Sequence, residues 1–186
     1  FPSISAEFGE TEGQYSRYMY QNMLDACLQI PANIDDVFIV IKPHPTENID
    51  NYKELLKDTY SDKVKIAMNM TSYEAINAAN IVLGVQSTTG HESILLNTPF
   101  ILLQWEDIPD LHGYIYYKVV YPVSSPELLY ERIRKLLNDT EYRSTFEEKR
   151  ELYLQEKFCL PLGESGNRCI NLIDRIINEP NTNVVS

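Results

Sequence analysis

The chain has 186 residues, 44% of them hydrophobic and 23% charged, enough for one well-packed domain of ordinary globular composition. A net charge of −11 argues against nucleic acid and anionic membranes as partners, since both need basic surfaces, and no apolar run approaches the ~18 residues of a membrane span. Three cysteines, Cys27, Cys159 and Cys169, share no paired spacing, which points to free thiols in a reducing, cytoplasmic setting rather than to disulfides or a zinc site.

The sequence opens on Phe1-Pro2-Ser3-Ile4-Ser5, with no initiator Met and inside what reads as a cut strand, so a fragment of a longer protein is expected. Gly9-Glu10-Thr11-Glu12-Gly13 follows as a turn at a cleft edge; its two glutamates make it a poor cradle for phosphate. A helix is predicted from Gln14 to Gln29, with Tyr15, Tyr18, Met19, Met23, Ala26 and Ile30 on its apolar side. Val37-Phe38-Ile39-Val40-Ile41 is a short β-branched run and reads as a buried parallel strand, ending on Lys42-Pro43-His44-Pro45. A helix over 51–60 and a strand over 64–67 come next, then Thr71-Ser72-Tyr73-Glu74 as a capping box opening a helix to Ala79.

Ile81-Val82-Leu83 predicts another strand, Gly90 to Leu96 a helix, and Phe100-Ile101-Leu102-Leu103 a further buried strand. Tyr114 to Val120 reads either as a strand or as an aromatic-rich loop. Ser124-Ser125-Pro126-Glu127 carries a helix start, with a candidate capping box and Pro in the first turn; helices are predicted over 126–138, 140–158 and 166–178, and residues 179–186 form a flexible tail. The alternation predicts a Rossmann-like three-layer α/β/α domain over 1–178, built on a parallel sheet of about five or six strands.

Within that frame one stretch carries chemistry: Gly84-Val85-Gln86-Ser87-Thr88-Thr89-Gly90-His91-Glu92-Ser93. An apolar strand runs into a hydroxyl-rich turn and then a helix, so hydroxyls, first-turn N–H groups and the helix dipole share one place, which suits a phosphate. Lys42-Pro43-His44-Pro45 also ends a strand, and two polar turns at strand ends of an α/β sheet can meet on one ligand. His44 is held stiffly between prolines, as a phosphate contact or general acid on one reading and a surface loop residue on the other. Lys42 is either solvated or part of the same site. Glu92 either binds ligand or turns back on Thr89 in a capping box. His91 faces the helix packing or the pocket, and His112 reads as a loop residue. Tyr114, Tyr116, Tyr117 and Tyr121, or Trp105 with Glu106 and Asp107, are candidate walls for a nucleobase. With no Asp-x-Asp motif or metal cluster, the expected site is metal-independent, its phosphates held by hydroxyls, a helix N-terminus and a cation or protonated histidine.

The Lys42-Pro43-His44-Pro45 motif, the helix from Tyr73 to Ala79, and Ile81 to Phe100 with its Ser-Thr-Thr-Gly-x-Glu core resemble the C-terminal domain of GT-B-fold enzymes. The groups it looks most like are the capsule and teichoic-acid transferases, including CDP-glycerol glycerophosphotransferases, and the related UDP-N-acetylglucosamine 2-epimerases. The resemblance covers about 1–178 in element order, and its specific motifs only 42–45 and 80–100. It implies one half of a GT-B fold that binds a donor nucleotide, with the acceptor and the usual base on a missing N-terminal domain. On that resemblance Ser87, Thr88 and Thr89, with the N–H groups opening the next helix, hold the donor phosphates, Glu92 accepts from the ribose, and His44 lies beside the phosphates or the reacting centre; Lys42, Gln86 and Gly90 count among the nucleotide-binding residues. Gly163-Glu164-Ser165-Gly166-Asn167-Arg168 is similar to a second helix start that approaches those phosphates through Ser165 and Asn167. The implied activity is glycosyl or glycerophosphoryl transfer in cell-surface polysaccharide synthesis. The donor is a UDP- or CDP-linked sugar or polyol, there is no resident cofactor, and the full-length protein associates peripherally with a membrane. An epimerase-like domain and a non-catalytic nucleotide-binding scaffold are the alternatives. Asn97 stands where the family commonly has Gly; Asn tolerates the left-handed turn required there.

Overall fold

A computed structural model of the chain describes residues 17–43, 50, 52, 62–105, 107–158 and 162–178. The cut strand at Ile4, the Gly9–Gly13 turn, His44, Pro45, most of the 51–60 helix, Glu106, Cys159 and the tail over 179–186 lie outside the described residues.

The β-branched runs become strands and the 3.6-period segments become helices. The elements in order are α1 (Arg17–Leu28), a single turn α2 (Ile30–Asn33), β1 (Ile39–Ile41), β2 (Val64–Ile66), α3 (Ser72–Ala78), β3 (Val82–Gly84), α4 (Thr88–Leu95), β4 (Phe100–Leu103), β5 (Tyr121–Val123), α5 (Pro126–Asn138), α6 (Thr140–Lys157) and α7 (Ser165–Asn178). All the strand pairs are parallel. β1 pairs with β2, Ile39 opposite Val64, and the order β3-β4-β5 sets Val82 opposite Phe100 and Ile101 opposite Tyr121. The five described strands therefore form a two-stranded and a three-stranded ladder. The two ladders share a core: Val37 and Ile39 pack against the same cluster as Ile81, Leu83, Ile101 and Leu103.

β4 is the centre of its ladder, and all four of its residues are buried, the expected pattern for a parallel strand covered on both faces. Met23, Ala26 and Ile30 from α1 and α2 and Leu129, Ile133 and Leu136 from α5 complete the cluster around it. Each such side chain removed from water contributes ~1.5–3 kcal/mol, the main force holding helices to strands. The helix starts follow their sequence signals. Thr71 and Glu74 form the capping box of α3, Glu74 Oε2 accepting from the Thr71 N–H at 2.8 Å. The Ser125 hydroxyl caps α5 by accepting from Leu128 N at 3.3 Å.

Tyr114 to Val120 resolves as the loop of its two readings, and the strand begins only at Tyr121. The Asp110 carboxylate accepts hydrogen bonds from the N–H groups of Ile115 and Tyr116, both at 2.9 Å. Those donors are then satisfied within a turn, and Lys118 reverses the chain with φ 55°.

The chain divides into two compact units, Phe1–Arg150 and Glu151–Ser186. In the second, Tyr153 and Leu154 are buried, the Tyr153 and Phe158 rings lie 6.1 Å apart, and α7 is amphipathic with Ile170, Leu172, Ile173, Ile176 and Ile177 exposed. Among the described residues no helix is long and apolar enough to cross a membrane.

Candidate functional site

β3 stops at Gly84, and Val85-Gln86-Ser87 carries the chain from its carboxyl end into α4. Helix α4 begins at Thr88, two residues before the expected start. Its N-cap is Ser87, in extended backbone at φ −153° and ψ 166°, and the Ser87 hydroxyl makes no capping bond. Thr89 is thus the second helical residue, so the Thr89/Glu92 capping box does not form. Glu92 is exposed, and among the described residues its carboxylate accepts no hydrogen bond. The hydroxyls of Ser87, Thr88 and Thr89 likewise have no partner among the described residues. Gly90 N bonds to Ser87 O at 3.2 Å, which leaves the Thr88 and Thr89 N–H groups as the open donors of the first turn. Three hydroxyls, two N–H groups and a carboxylate one turn further along α4 are the polar equipment of the turn. A helix N-terminus favours an anion there by typically 0.3–1 kcal/mol.

The helix that presents these groups is fixed at both ends. At its carboxyl end Thr98 N bonds Ser93 O at 2.9 Å and Asn97 N bonds Ile94 O at 3.2 Å, the paired closure of a Schellman motif, with Asn97 left-handed at φ 59°. Asn97 therefore does what the resemblance requires of a residue in place of Gly. The Arg150 guanidinium, 56 residues further along the chain, donates to Ile94 O at 2.6 Å and to Leu95 O at 2.9 Å, so a cation sits where the helix dipole is negative. Ser93, fully buried, donates from its hydroxyl to Thr98 O at 2.7 Å.

At the amino end the anchor is Tyr114, fully buried, whose hydroxyl donates to Ser87 O at 2.7 Å. The glycines of the motif are explained by the same aromatic group. A Cβ on Gly90 would meet Tyr114 ring and hydroxyl atoms at 2.6–2.8 Å, and a Cβ on Gly84 would meet the Phe100 ring at 3.0 Å. Neither Gly90 nor Gly84 has positive φ. Their bareness makes room for rings beneath the turn rather than for an unusual backbone. His91 and His112 complete the layer: His91 Nε2 lies 3.3 Å from His112 Nδ1, and the two imidazoles lie 5.0 Å and 5.1 Å from the Tyr114 ring. His112, expected as a plain loop residue, is instead the partner of His91.

Gln86, Ser87, Thr88, Thr89, Gly90 and Glu92 are thus brought together in one turn, with Gln86 and Gly90 buried. Lys42 follows the end of β1, in the other ladder, and its ammonium donates to Pro43 O at 2.9 Å. His44 lies outside the described residues. Ser165 and Asn167 belong to the second unit, where both are exposed and locally bonded: Arg168 donates to Ser165 Oγ at 3.0 Å, and Asn167 donates to Glu164 at 2.7 Å. Of the tyrosines proposed for a nucleobase, Tyr114 is enclosed and Tyr116 is exposed on the surface. Tyr121 packs against Tyr142 at 5.2 Å, where burial raises its phenol above the usual range. Trp105, just past β4, lies in an open groove of about 400 Å³ shared with Asn22, Asp25, Gln29 and Tyr130. Among the described residues no three His, Cys, Asp or Glu side chains gather as metal ligands.

No protein-family model and no curated protein matches the chain. Solved structures match it in fold. A putative UDP-N-acetylglucosamine 2-epimerase from Listeria monocytogenes superposes with TM-score 0.67 at 15% identity, over 89% of this chain and 44% of that one. The C-terminal CMP-Kdo binding domain of WaaA from Acinetobacter baumannii gives TM-score 0.58 at 12% identity, over 83% of this chain and 95% of that domain. The glycotransferase of kitacinnamycin gives 0.53 at 14%, over 87% of this chain and 40% of its own length. The chain therefore spans less than half of the epimerase and of the kitacinnamycin protein, and matches the WaaA domain nearly end to end. It carries a Rossmann-like α/β domain of the GT-B type.

Proposed function

We propose that this chain is the donor-nucleotide-binding domain of a GT-B-type transferase, moving a sugar or a polyol phosphate from a nucleotide carrier in cytoplasmic synthesis of cell-surface polysaccharide. The observation that carries the reading is the turn after β3. Its Ser87 hydroxyl is left out of helix capping, beside the open N–H groups of Thr88 and Thr89 on a helix pinned at both ends. A diphosphate seated there accepts from Ser87, Thr88 and Thr89, and Glu92 accepts from the ribose hydroxyls. His44 acts on the phosphates or the leaving group, and Lys42 is a further nucleotide contact. As the bond to the donor breaks, negative charge grows on the departing phosphate, and fixed dipoles aimed at it lower the barrier. The acceptor and its base belong to a further domain, and membrane association is a property of that longer protein.

The WaaA neighbour, a CMP-Kdo binding domain, supports a nucleotide-sugar ligand for this half-fold alone. The Listeria neighbour supports a second reading, an epimerase-like domain using the same nucleotide turn. A thermal-shift panel of UDP, CDP, CMP and GDP tests both. A nucleotide at 100 times its dissociation constant stabilises the fold by ~2.7 kcal/mol, and the double variant Ser87→Ala with Glu92→Gln removes that gain while the far-UV spectrum stays intact. Absence of a shift with all four nucleotides refutes the proposal and leaves a scaffold.

A further inference from the structure

The strongest feature not used by that reading is the enclosed aromatic layer beneath the turn. Tyr114 reaches α4 from a different segment, the loop between β4 and β5, and its hydroxyl bonds to the carbonyl of Ser87 at 2.7 Å. That carbonyl belongs to the same planar trans peptide as the Thr88 N–H, and in a trans unit the two groups point in opposite directions. Fixing the carbonyl therefore fixes the opposite direction for the Thr88 N–H. The tyrosine has little freedom to do otherwise. Its ring fills the space a Gly90 side chain would need, and His91 and His112 lie at 5.0 Å and 5.1 Å from it. Its own loop is tied by the Asp110 carboxylate to the Ile115 and Tyr116 N–H groups.

We propose that Tyr114 is a positioning residue for diphosphate binding: through its bond to the Ser87 carbonyl it aims the Thr88 N–H at the phosphate. The inference rests on the donor-nucleotide reading above, and it assigns to Tyr114 a part in ligand affinity beyond packing. Because only one oriented donor is disturbed, loss of the hydroxyl weakens the phosphate contact alone and leaves the contacts to base and ribose as they were.

The test is Tyr114→Phe in the whole chain, which keeps the ring and removes one hydroxyl. Two readouts separate positioning from packing: the Thr88 amide resonance in the free protein, and the dissociation constants of UDP, CDP and the matching nucleosides by calorimetry. The expected result is a displaced Thr88 amide signal and diphosphate binding weaker by about fivefold, the effect of one ordinary hydrogen bond, with nucleoside binding unchanged. Tyr142→Phe, which removes a hydroxyl that contacts Arg132 elsewhere in the same unit, leaves both readouts at wild-type values. Asp110→Asn, which loosens the loop behind Tyr114, moves them in the same direction and serves if Tyr114→Phe folds poorly. Diphosphate affinity and a Thr88 signal both unchanged in Tyr114→Phe overturn the inference while the donor-nucleotide reading stands. A wild-type chain that binds neither diphosphate overturns both.

Discussion

Replacing Gly90 by Ala puts a methyl group where Tyr114 already is. The added Cβ lies 2.6 Å from the ring Cζ, 2.7 Å from the hydroxyl oxygen and 2.8 Å from Cε2. Such contacts are at ease at ~3.5–4.0 Å, so the ring has to retreat by roughly 1 Å. Phe100, His91 and His112 pack on the same ring, and the retreat pulls the hydroxyl off the Ser87 carbonyl. Overpacking of this kind costs ~1–3 kcal/mol and the lost hydrogen bond ~1 kcal/mol, against ~1 kcal/mol gained from the better helix propensity of Ala. The net expectation is destabilisation by ~1–3 kcal/mol, a fall in midpoint temperature of roughly 2–12 °C. Urea unfolding followed by the fluorescence of Trp105, the chain's single tryptophan, reads this in the first unit. Gly166→Ala in α7 is the matched control. It too replaces a helical glycine, nothing lies within 4 Å of its added Cβ, and it is expected to stabilise by ~0.4–1 kcal/mol, read by circular dichroism. If Gly90→Ala proves as stable as the wild type, Tyr114 does not hold the turn by close packing.

Burial pushes the Cys27 thiol up to about 12, although the residue keeps some accessible surface, whereas Cys169 is exposed. Peptide mapping after brief alkylation at mildly alkaline pH is expected to find Cys169 modified and Cys27 intact. Because its folded value is raised, the stability Cys27 contributes is complete below its ordinary 9.0 and declines as pH rises toward 12. The Glu74 carboxyl is lowered, first by the Thr71 backbone N–H and then by the Thr71 hydroxyl, so its contribution is present above 4.5 and fades as pH falls through the lowered value. The stability gap between wild type and Glu74→Gln should accordingly close on acidification, and a gap that widens contradicts the capping box. At Asn97, with φ 59°, Val should cost ~1–2 kcal/mol and Gly nothing, by urea midpoint. Equal losses for Val and Gly are incompatible with a left-handed turn.

Local signals carried most of the fold. The capping box at Thr71, the Ser125-Pro126 start, the buried β4 and the left-handed Asn97 are each decided by neighbours a few residues away, and each stands where the sequence places it; β1, expected buried over 37–41, spans only Ile39–Ile41 and leaves Phe38 and Val40 exposed. The hydroxyl-rich turn between a strand and a helix was legible for the same reason, although α4 starts two residues earlier than expected. What escaped depends on partners far along the chain. Arg150 closes α4 from 55 and 56 residues away, and Tyr114 reaches Ser87 across 27. No window of sequence joins those residues. A faint signal existed in Gly90, since a glycine inside a helix is costly unless something needs its space. The loop over 114–120 was ambiguous because its aromatics suit a strand, and the side chain of Asp110 decided against one. The helix start at Thr88 rather than Gly90 followed from Ser87 adopting the extended N-cap backbone, which removed the rival role for Glu92.

The most direct test of the central claim is a nitrogen–proton correlation spectrum of the labelled chain titrated with UDP and with CDP. The amides of residues 86–92 are expected to move most, led by Thr88 and Thr89, and to saturate together. Perturbations concentrated instead around the Trp105 groove, or a spectrum that does not change with either nucleotide, would contradict that claim.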